Sequence, residues 1–280
     1  MIAIDEKIVK IKCRDGYETA CRVFSPADPV SDIICLHGIQ SHSGWYIRSS
    51  RKLAQAGFRV IFPDRRGSGL NTQNRGDTPS WQDLINDIEA TAGYFQCGVN
   101  TTLMAISWGA KLAVKICLGD YPWLNKIIFV TPGIISKLGF GISGKLKIAA
   151  NQVFNGGKGF FTIPIPGADY FTRDQRWRRY INDDPYTLRK CTARFFFNSN
   201  KIDKLALVPP KETALAALLL LARDDRIIDN HQTKQYFEKY FTCGRNLTKT
   251  YPGCEHTLEF DMKDLGFADD IIRWLMPVRV

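Results

Sequence analysis

In the stretch TTLMAISWGA, residues 101–110, an apolar strand-like run ends at a polar residue and a helix-like segment follows. Ser107 stands at the turn, between the small residues Ala105 and Gly109. This is the layout of a nucleophile elbow, in which a strained serine backbone brings a strand and a helix too close for bulky neighbours. The same pattern also fits a serine that caps a helix, so the motif alone leaves both interpretations open.

Short apolar runs and helical stretches alternate on both sides of this turn. The runs are 32–37, 58–64, 101–106 and 126–131, and the helical stretches are about 46–56, 80–96 and 109–119. This alternation predicts an α/β fold with a mostly parallel central sheet flanked by helices. Two earlier runs with alternating polarity, at 5–13 and 17–24, predict a hairpin at the start of the chain.

Residues 136–212 break the alternation with glycine clusters, a proline segment and basic-aromatic stretches. A strand-like run at 216–222 and further elements up to a final helix near 264–275 resume it. The simplest organisation is an α/β core of residues 1–135 and 213–280, interrupted by an insertion of residues 136–212. The insertion carries 14 basic and 6 acidic residues, so +8 of the chain's net charge of +10 belongs to it.

Composition excludes several classes of protein. At 280 residues and 45% hydrophobic content, the chain can bury a large core. No apolar run approaches the roughly 18 residues that span a bilayer, and the N-terminus lacks the layout of a signal peptide, so we expect a cytoplasmic protein. The eight cysteines form no CxxC pair and predict buried, reduced thiols. The histidines and acids lack metal-ligand spacing, so we expect no metal site.

A serine nucleophile needs a base, and the base needs an acid that orients it. Only His231 and His256 follow Ser107 in the chain. His256 comes just after a predicted strand, in a loop that can face the carboxyl edge of the sheet, whereas His231 lies in a polar helical segment and is expected to be solvated. The acid should follow strand 216–222, where Asp224 and Asp225 both stand. The chain order serine, aspartate, histidine is the order this arrangement requires.

An oxyanion hole needs two donors that point at one position. The amide after the nucleophile, that of Trp108, supplies one. The loop after the run at 32–37 should supply the other, because His37-Gly38 allows a sharp turn. Ile39 is the first candidate for the donating amide and Gln40 the second. His37 itself is expected to be a structural residue of the turn.

Five motifs in order resemble those of the α/β-hydrolase superfamily. They are LHGIQSHSGWY (36–46), FPDRRGSG (62–69), MAISWGA (104–110), ARDDRIID (222–229) and YPGCEHTLEF (251–260). The branch they resemble most is that of lysophospholipases and monoacylglycerol lipases. The resemblance implies Asp225 rather than Asp224 as the acid, and a structural loop that contains Asp64 and Arg66. It also implies that the insertion is a variable cap over the active site. Alanine at position 105 departs from the usual glycine.

The sequence therefore predicts a serine hydrolase of carboxylic esters that uses no cofactor. Ser107 is the expected nucleophile, His256 the base and Asp225 its orienting acid, while the amides of Ile39 and Trp108 hold the oxyanion. The basic, aromatic insertion favours a lipid ester with a single acyl chain, and peripheral contact with an anionic membrane surface.

Other interpretations stay open from the sequence. The protein could be an acyl thioesterase whose basic cap grips the phosphates of a carrier, or a noncatalytic lipid-binding module on a hydrolase scaffold. The segment GFGISGKL, residues 139–146, nearly spells a phosphate-binding loop, but Leu146 stands where a Ser or Thr should hold magnesium, so a flexible hinge is expected instead. Nucleic acid is not an expected partner, because the basic residues alternate with apolar ones as in an amphipathic surface.

Overall fold

A computed structural model describes residues 3–207 and 212–276 and confirms the predicted α/β architecture. The strands are β1 (Ile4–Lys12), β2 (Glu18–Pro26), β3 (Ser31–Leu36), β4 (Phe58–Pro63), β5 (Thr101–Ile106), β6 (Leu124–Val130), β7 (Phe160–Thr162), β8 (Lys190–Thr192), β9 (Ala216–Ala222) and β10 (Leu247–Tyr251). The helices are α1 (Ile47–Gln55), α2 (Trp81–Tyr94), α3 (Gly109–Cys117), α4 (Ile142–Phe154), α5 (Gln175–Asp183), α6 (Ala193–Leu207), α7 (Asn230–Tyr240), α8 (Leu258–Asp261) and α9 (Gly266–Leu275). Single turns of 3-10 helix lie at Ser43–Tyr46 and Ala168–Tyr170.

The central sheet has eight strands in the order β1-β2-β4-β3-β5-β6-β9-β10. The pairs β1–β2 and β2–β4 are antiparallel, and the five pairs from β4 to β10 are parallel. The predicted hairpin is therefore confirmed. β5 and β9 are buried along their whole length, as expected for strands covered by helices on both faces.

The strand order reverses between β3 and β5, which lie side by side although β4 separates them in the chain. In open α/β sheets the crevice at the carboxyl ends of such strands is the usual ligand site. The loop after β3 begins at His37, and the residue after β5 is Ser107. The topology therefore brings the two sequence motifs to the same edge of the sheet.

Between β6 and β9 the chain forms α4, α5, α6 and the antiparallel pair β7–β8. Helix α6 packs against α4 and against α3, the helix that begins just after Ser107. This segment therefore lies next to the end of β5. The predicted hinge at 139–146 is wrong for residues 142–146, which form the first turns of α4. Lys211, one of the basic residues of the predicted insertion, lies outside the described residues, as do positions 208–210 and 277–280.

Candidate active site

Ser107 sits on a strained turn between β5 and α3. Its φ is +51°, in the left-handed region that non-glycine residues rarely adopt. Gly109 is required by the close approach of the loop after β3, because a Cβ at that position would lie 2.7 Å from the carbonyl oxygen of Leu36. Ala105 lies one residue before the strand ends and is fully buried in the sheet. The turn therefore closes with alanine at the position where glycine is usual.

Two further backbone contacts hold the serine. The amide of Ser107 donates to the carbonyl of Val130 at 3.1 Å, and the carbonyl of Ser107 accepts from the amide of Gly133 at 2.8 Å. Gly133 approaches so closely that a Cβ there would lie 3.0 Å from the amide nitrogen of Trp108. The end of β6 thus fixes the turn from the side opposite the loop after β3.

His256 lies between Ser107 and Asp225. Its Nε2 is 2.7 Å from Ser107 Oγ, and its Nδ1 is 2.7 Å from Asp225 Oδ2. An ionised carboxylate only accepts hydrogen bonds, so Nδ1 carries the proton and Nε2 is free to accept the serine proton. Asp225 is held in turn by the amides of Ile227 and Ile228, which donate to its Oδ1 at 2.8 and 3.1 Å. Both His256 and Asp225 are buried.

The other candidates of the sequence analysis lie elsewhere. Asp224 accepts from Arg173 Nη2 at 2.8 Å and does not contact His256. His231 is exposed in the first turn of α7, as expected. Asp64 accepts from the amides of Ser43 and Leu70, and Arg66 pairs with Asp87 and Asp15. Both residues therefore brace the loop after β4.

The turn at His37-Gly38 passes directly over the serine. A Cβ at Gly38 would lie 3.1 Å from Ser41 Oγ and 3.2 Å from Ser107 Cβ, so any side chain there would have to push these neighbours away. His37 Nδ1 lies 2.8 Å from the carbonyl of Gly38, and its Nε2 accepts from the amide of Arg65. Burial holds the pKa of His37 well below its usual value, so the ring is neutral and serves the turn.

The amides of Ile39 and Trp108 are both available. Within residues 3–207 and 212–276 neither donates to a protein acceptor, and both residues line the same cavity as Ser107. An unsatisfied backbone amide is unusual unless a ligand or water takes it. Gln40, the second candidate, is buried, and its carbonyl accepts from the amide of Leu188.

A cavity of about 540 Å³ opens above Ser107. Most of its wall comes from the segment between β6 and β9. The wall has an apolar part and a polar part. The apolar part consists of Leu138, Phe140, Ile148, Ile163, Pro164, Ile165, Phe196 and Phe197. The polar part includes Lys111 and Asp203, which form an ion pair at 2.6 Å, and Ser199, which accepts from the indole Nε1 of Trp108 at 2.9 Å.

Sequence reasoning did not find three groups near the site. They are Arg65, the Lys111–Asp203 pair and a buried contact between His42 Nε2 and Asp184 Oδ2 at 2.8 Å. Two of these groups join residues about 90 and 142 positions apart, which no local pattern reveals. Arg65 stands next to Arg66 in the DRRGSG loop, but nothing local distinguishes the two, because the acids that pair with Arg66 come from distant parts of the chain.

The fold and the geometry of this site define an enzyme of the α/β-hydrolase class. A family model described as "Serine aminopeptidase, S33" matches residues 27–263, and the chain belongs to that family. The predicted resemblance is therefore confirmed.

Known proteins with a similar sequence or fold include a phospholipase and a monoacylglycerol lipase. Phospholipase YtpA of Bacillus subtilis is 24% identical over 222 residues, which are 75% of this chain and 81% of that protein. An uncharacterized abhydrolase domain-containing protein of Dictyostelium discoideum is 23% identical over 266 residues, or 93% of this chain, but the match spans only 28% of that longer protein. The crystal structure of a Paleococcus ferrophilus monoacylglycerol lipase has a TM-score of 0.81 at 17% identity, covering 92% of this chain and 98% of that one. The chain is thus a hydrolase of the α/β type, related to a phospholipase and similar in fold to monoacylglycerol lipases.

Proposed function

We propose that the protein is a serine hydrolase of carboxylic esters, and that its substrates are lipid-like esters with one acyl chain. The observation that carries the proposal is the contact of Ser107 Oγ with His256 Nε2 at 2.7 Å, on the wall of a largely apolar cavity. Without a base in contact, a serine hydroxyl is a weak nucleophile, and His256 supplies that base.

In the proposed reaction Ser107 Oγ attacks the acyl carbonyl carbon while its proton passes to His256 Nε2. The carbonyl oxygen becomes an oxyanion, which accepts from the amides of Ile39 and Trp108. The ester C–O bond then breaks, and the same proton moves from His256 to the departing alcohol. Water repeats these steps on the acyl-enzyme and releases the carboxylic acid. Asp225 holds His256 in the required tautomer and stabilises the imidazolium.

Residues 136–212 act in this proposal as a cap on a core of residues 1–135 and 213–280. The support is that most of the cavity wall comes from this segment. The apolar part suits an acyl chain, and the polar part near Lys111 and Asp203 suits a head group. Of the described residues that line the cavity, Asp203 alone is acidic, and it is paired with Lys111. That arrangement leaves no free carboxylate for the amino group of a peptide substrate, which favours esters over aminopeptidase substrates.

The proposed cytoplasmic enzyme meets its substrate at an anionic membrane surface. No helix in residues 3–207 and 212–276 is long and apolar enough to cross a bilayer. Helix α4 instead presents a row of exposed apolar side chains, Ile142, Leu146, Val153 and Phe154, with Lys147 beside them. Apolar side chains flanked by lysines suit the boundary between acyl chains and anionic head groups.

The proposal is tested by turnover of a panel of p-nitrophenyl esters of increasing chain length and by labelling with a fluorophosphonate probe. We expect Ser107→Ala to abolish labelling and to lower kcat by roughly 10⁴-fold or more. Asp225→Asn should lower kcat by a similar factor, because the asparagine amide favours the wrong tautomer of His256.

Two matched variants control for general damage to the site. Ser136→Ala removes another serine of the cavity wall, and Asp224→Asn removes the neighbouring acid, which pairs with Arg173 instead of His256. Both should keep labelling, and Asp224→Asn should also keep wild-type turnover. Thioesters that turn over much faster than matched oxygen esters would favour the thioesterase alternative. A folded wild-type protein that binds lipid but shows neither labelling nor turnover would identify a noncatalytic binding module and overturn the proposal.

A further inference from the structure

Arg65 contacts both residues that supply the amides of the proposed oxyanion hole. Its Nη1 donates to the carbonyl of Gly38 at 3.1 Å and its Nη2 to the carbonyl of Ile39 at 3.0 Å. The guanidinium also lies 4.7 Å from the ring centroid of Trp108 and 5.3 Å from that of Phe195. One side chain therefore touches both segments that carry the candidate donors.

The surroundings of Arg65 are unusual for an arginine. Within the described parts of the chain no carboxylate lies within ion-pair distance of it, and its Nε is buried without a hydrogen-bond partner. The adjacent Arg66 is fully paired with Asp87 and Asp15. Burial lowers the pKa of Arg65 to about 10, so it still carries its charge at neutral pH. An unpaired charge in a desolvated place is costly and is more typical of functional sites than of scaffolds.

The planarity of the peptide bond explains what the contacts of Arg65 do. The carbonyl of Gly38 and the amide of Ile39 belong to one trans peptide unit, so they point in opposite directions. A donor on the Gly38 carbonyl therefore turns the Ile39 amide to the opposite side of the peptide unit, and Arg65 Nη1 is such a donor, together with His37 Nδ1. In the proposed function that opposite side faces the cavity that Ile39 and Ser107 both line. The cation also polarises this peptide unit, which makes the amide a stronger donor to a negative oxygen.

We propose that Arg65 is the positioning residue of the oxyanion hole: it fixes the Ile39 amide through the Gly38 carbonyl, steadies Trp108 by stacking, and places a positive charge behind both donors. This inference rests on the proposed function. It assigns to Arg65 an effect on the transition state rather than on substrate binding, because the oxyanion exists only after the serine attacks.

The test compares Arg65→Met and Arg65→Lys with the wild type on one p-nitrophenyl ester, and measures inhibition by an aryl trifluoromethyl ketone. That ketone forms an oxyanion on the nucleophile. We expect Arg65→Met to lower kcat at least about 10-fold with little change in KM, and to weaken the ketone by a similar factor. Arg65→Lys keeps a charge but reaches fewer carbonyls, so it should recover part of both losses.

Arg75→Met is the matched control. Arg75 also donates to backbone carbonyls, those of Gly69 and Tyr186, but none of them belongs to the proposed oxyanion hole. We expect Arg75→Met to lower the unfolding temperature and to leave kcat and ketone affinity at wild-type values. If Arg65→Met resembles Arg75→Met in all three measurements, Arg65 is only structural and the inference is wrong. Failure of the proposed function would look different: the wild type would turn over the ester, and Ser107→Ala would turn it over equally well.

Discussion

Glu259 is a buried carboxyl group three residues after His256. Its Oε1 accepts from the amide of Ser49 at 3.2 Å, while its Oε2 has no hydrogen-bond partner among the described residues. Burial raises its pKa from 4.5 to about 7. The native state therefore binds this proton more tightly than the unfolded state does. Consequently, the contribution of Glu259 to the free energy of unfolding is highest below pH 4.5, falls as the pH rises toward 7, and then levels off.

Glu259→Gln should remove this pH dependence, because glutamine can accept from Ser49 without ever ionising. At pH 4.5 the variant and the wild type should be similarly stable. At pH 8 the variant should be more stable by up to roughly 3 kcal/mol, the equivalent of the pKa shift. Urea unfolding at a series of pH values from 4.5 to 8 measures the difference. Two curves that run parallel over this range would show that the native structure does not raise the pKa of Glu259.

Residues that act through a motif could be predicted from the sequence, and residues that act through a distant contact could not. Ser107 is marked by small neighbours and a preceding strand, and His256 by the loop in which it lies. The choice of Asp225 over Asp224 needed the family resemblance, because both stand in the right loop. Arg65 and Glu259 carry no local mark, since what makes them special is burial by elements far along the chain.

The loop after β3 is joined to the segment between β6 and β9 by a buried polar cluster around Asp184. Asp184 Oδ2 accepts from His42 Nε2, Trp45 Nε1 and Thr187 Oγ1 at 2.8 to 2.9 Å. Burial alone would raise the pKa of Asp184, but the hydrogen bonds from His42 and Trp45 outweigh it and hold the pKa well below its usual value. The carboxylate is therefore ionised wherever the protein is folded near neutral pH.

We expect Asp184→Asn to destabilise the protein by about 2 kcal/mol at pH 7. Asparagine replaces one carboxylate oxygen by an NH2 group, which cannot accept the hydrogen bonds that this oxygen accepted. The difference should shrink as the pH falls below 4, where the stabilising charge of the wild type is lost. Asp183→Asn, at the exposed neighbouring position, is the matched control and should behave as the wild type. Thermal and urea unfolding measure the effect. Equal stability of the two variants would show that the cluster does not hold the loop in place.

The elements of the core followed from the sequence more readily than those between β6 and β9. Buried parallel strands are apolar along their whole length, so β5 and β9 were predicted to the residue and their neighbours to within about two positions. Helix α4 begins in a segment with Gly141 and Gly144, which weaken a helix prediction. Its apolar residues also point outward, and Ile148 is its one buried residue, so its hydrophobic pattern gave no guide to its packing.

Positive charge and exposed apolar side chains are unevenly distributed over the surface of the molecule. The segment of residues 136–212 carries most of the net positive charge and also the most exposed apolar side chains, whereas the rest of the chain is nearly neutral. Phe154 is 88% exposed and Ile142 81% exposed, both on α4. Such side chains are costly in water and common at surfaces that meet a partner. Because lysines flank them, the proposed function assigns this surface to contact with an anionic lipid surface, which has the complementary charge.

Replacing Ile142 and Leu146 together by serine should therefore weaken binding to vesicles that contain about a third phosphatidylglycerol. Each apolar side chain that enters the lipid contributes roughly 1.5 kcal/mol, so the loss should be about 100-fold, and wild-type binding should also weaken as salt rises. Turnover of a short p-nitrophenyl ester should not change, because neither side chain lines the cavity. Vesicle flotation between 50 and 500 mM salt measures the binding.

A second double variant, Val30→Ser with Val99→Ser, is the control. It removes two exposed apolar side chains that lie outside residues 136–212, and it should bind vesicles as the wild type does. If both double variants bind equally well, α4 is not the contact surface. If the wild type sediments as a dimer that the α4 variant cannot form, the apolar row is instead an interface between two copies of the chain, and the membrane proposal is wrong. Binding that persists at high salt only for the wild type would show that the apolar side chains, and not charge alone, hold the protein on the lipid.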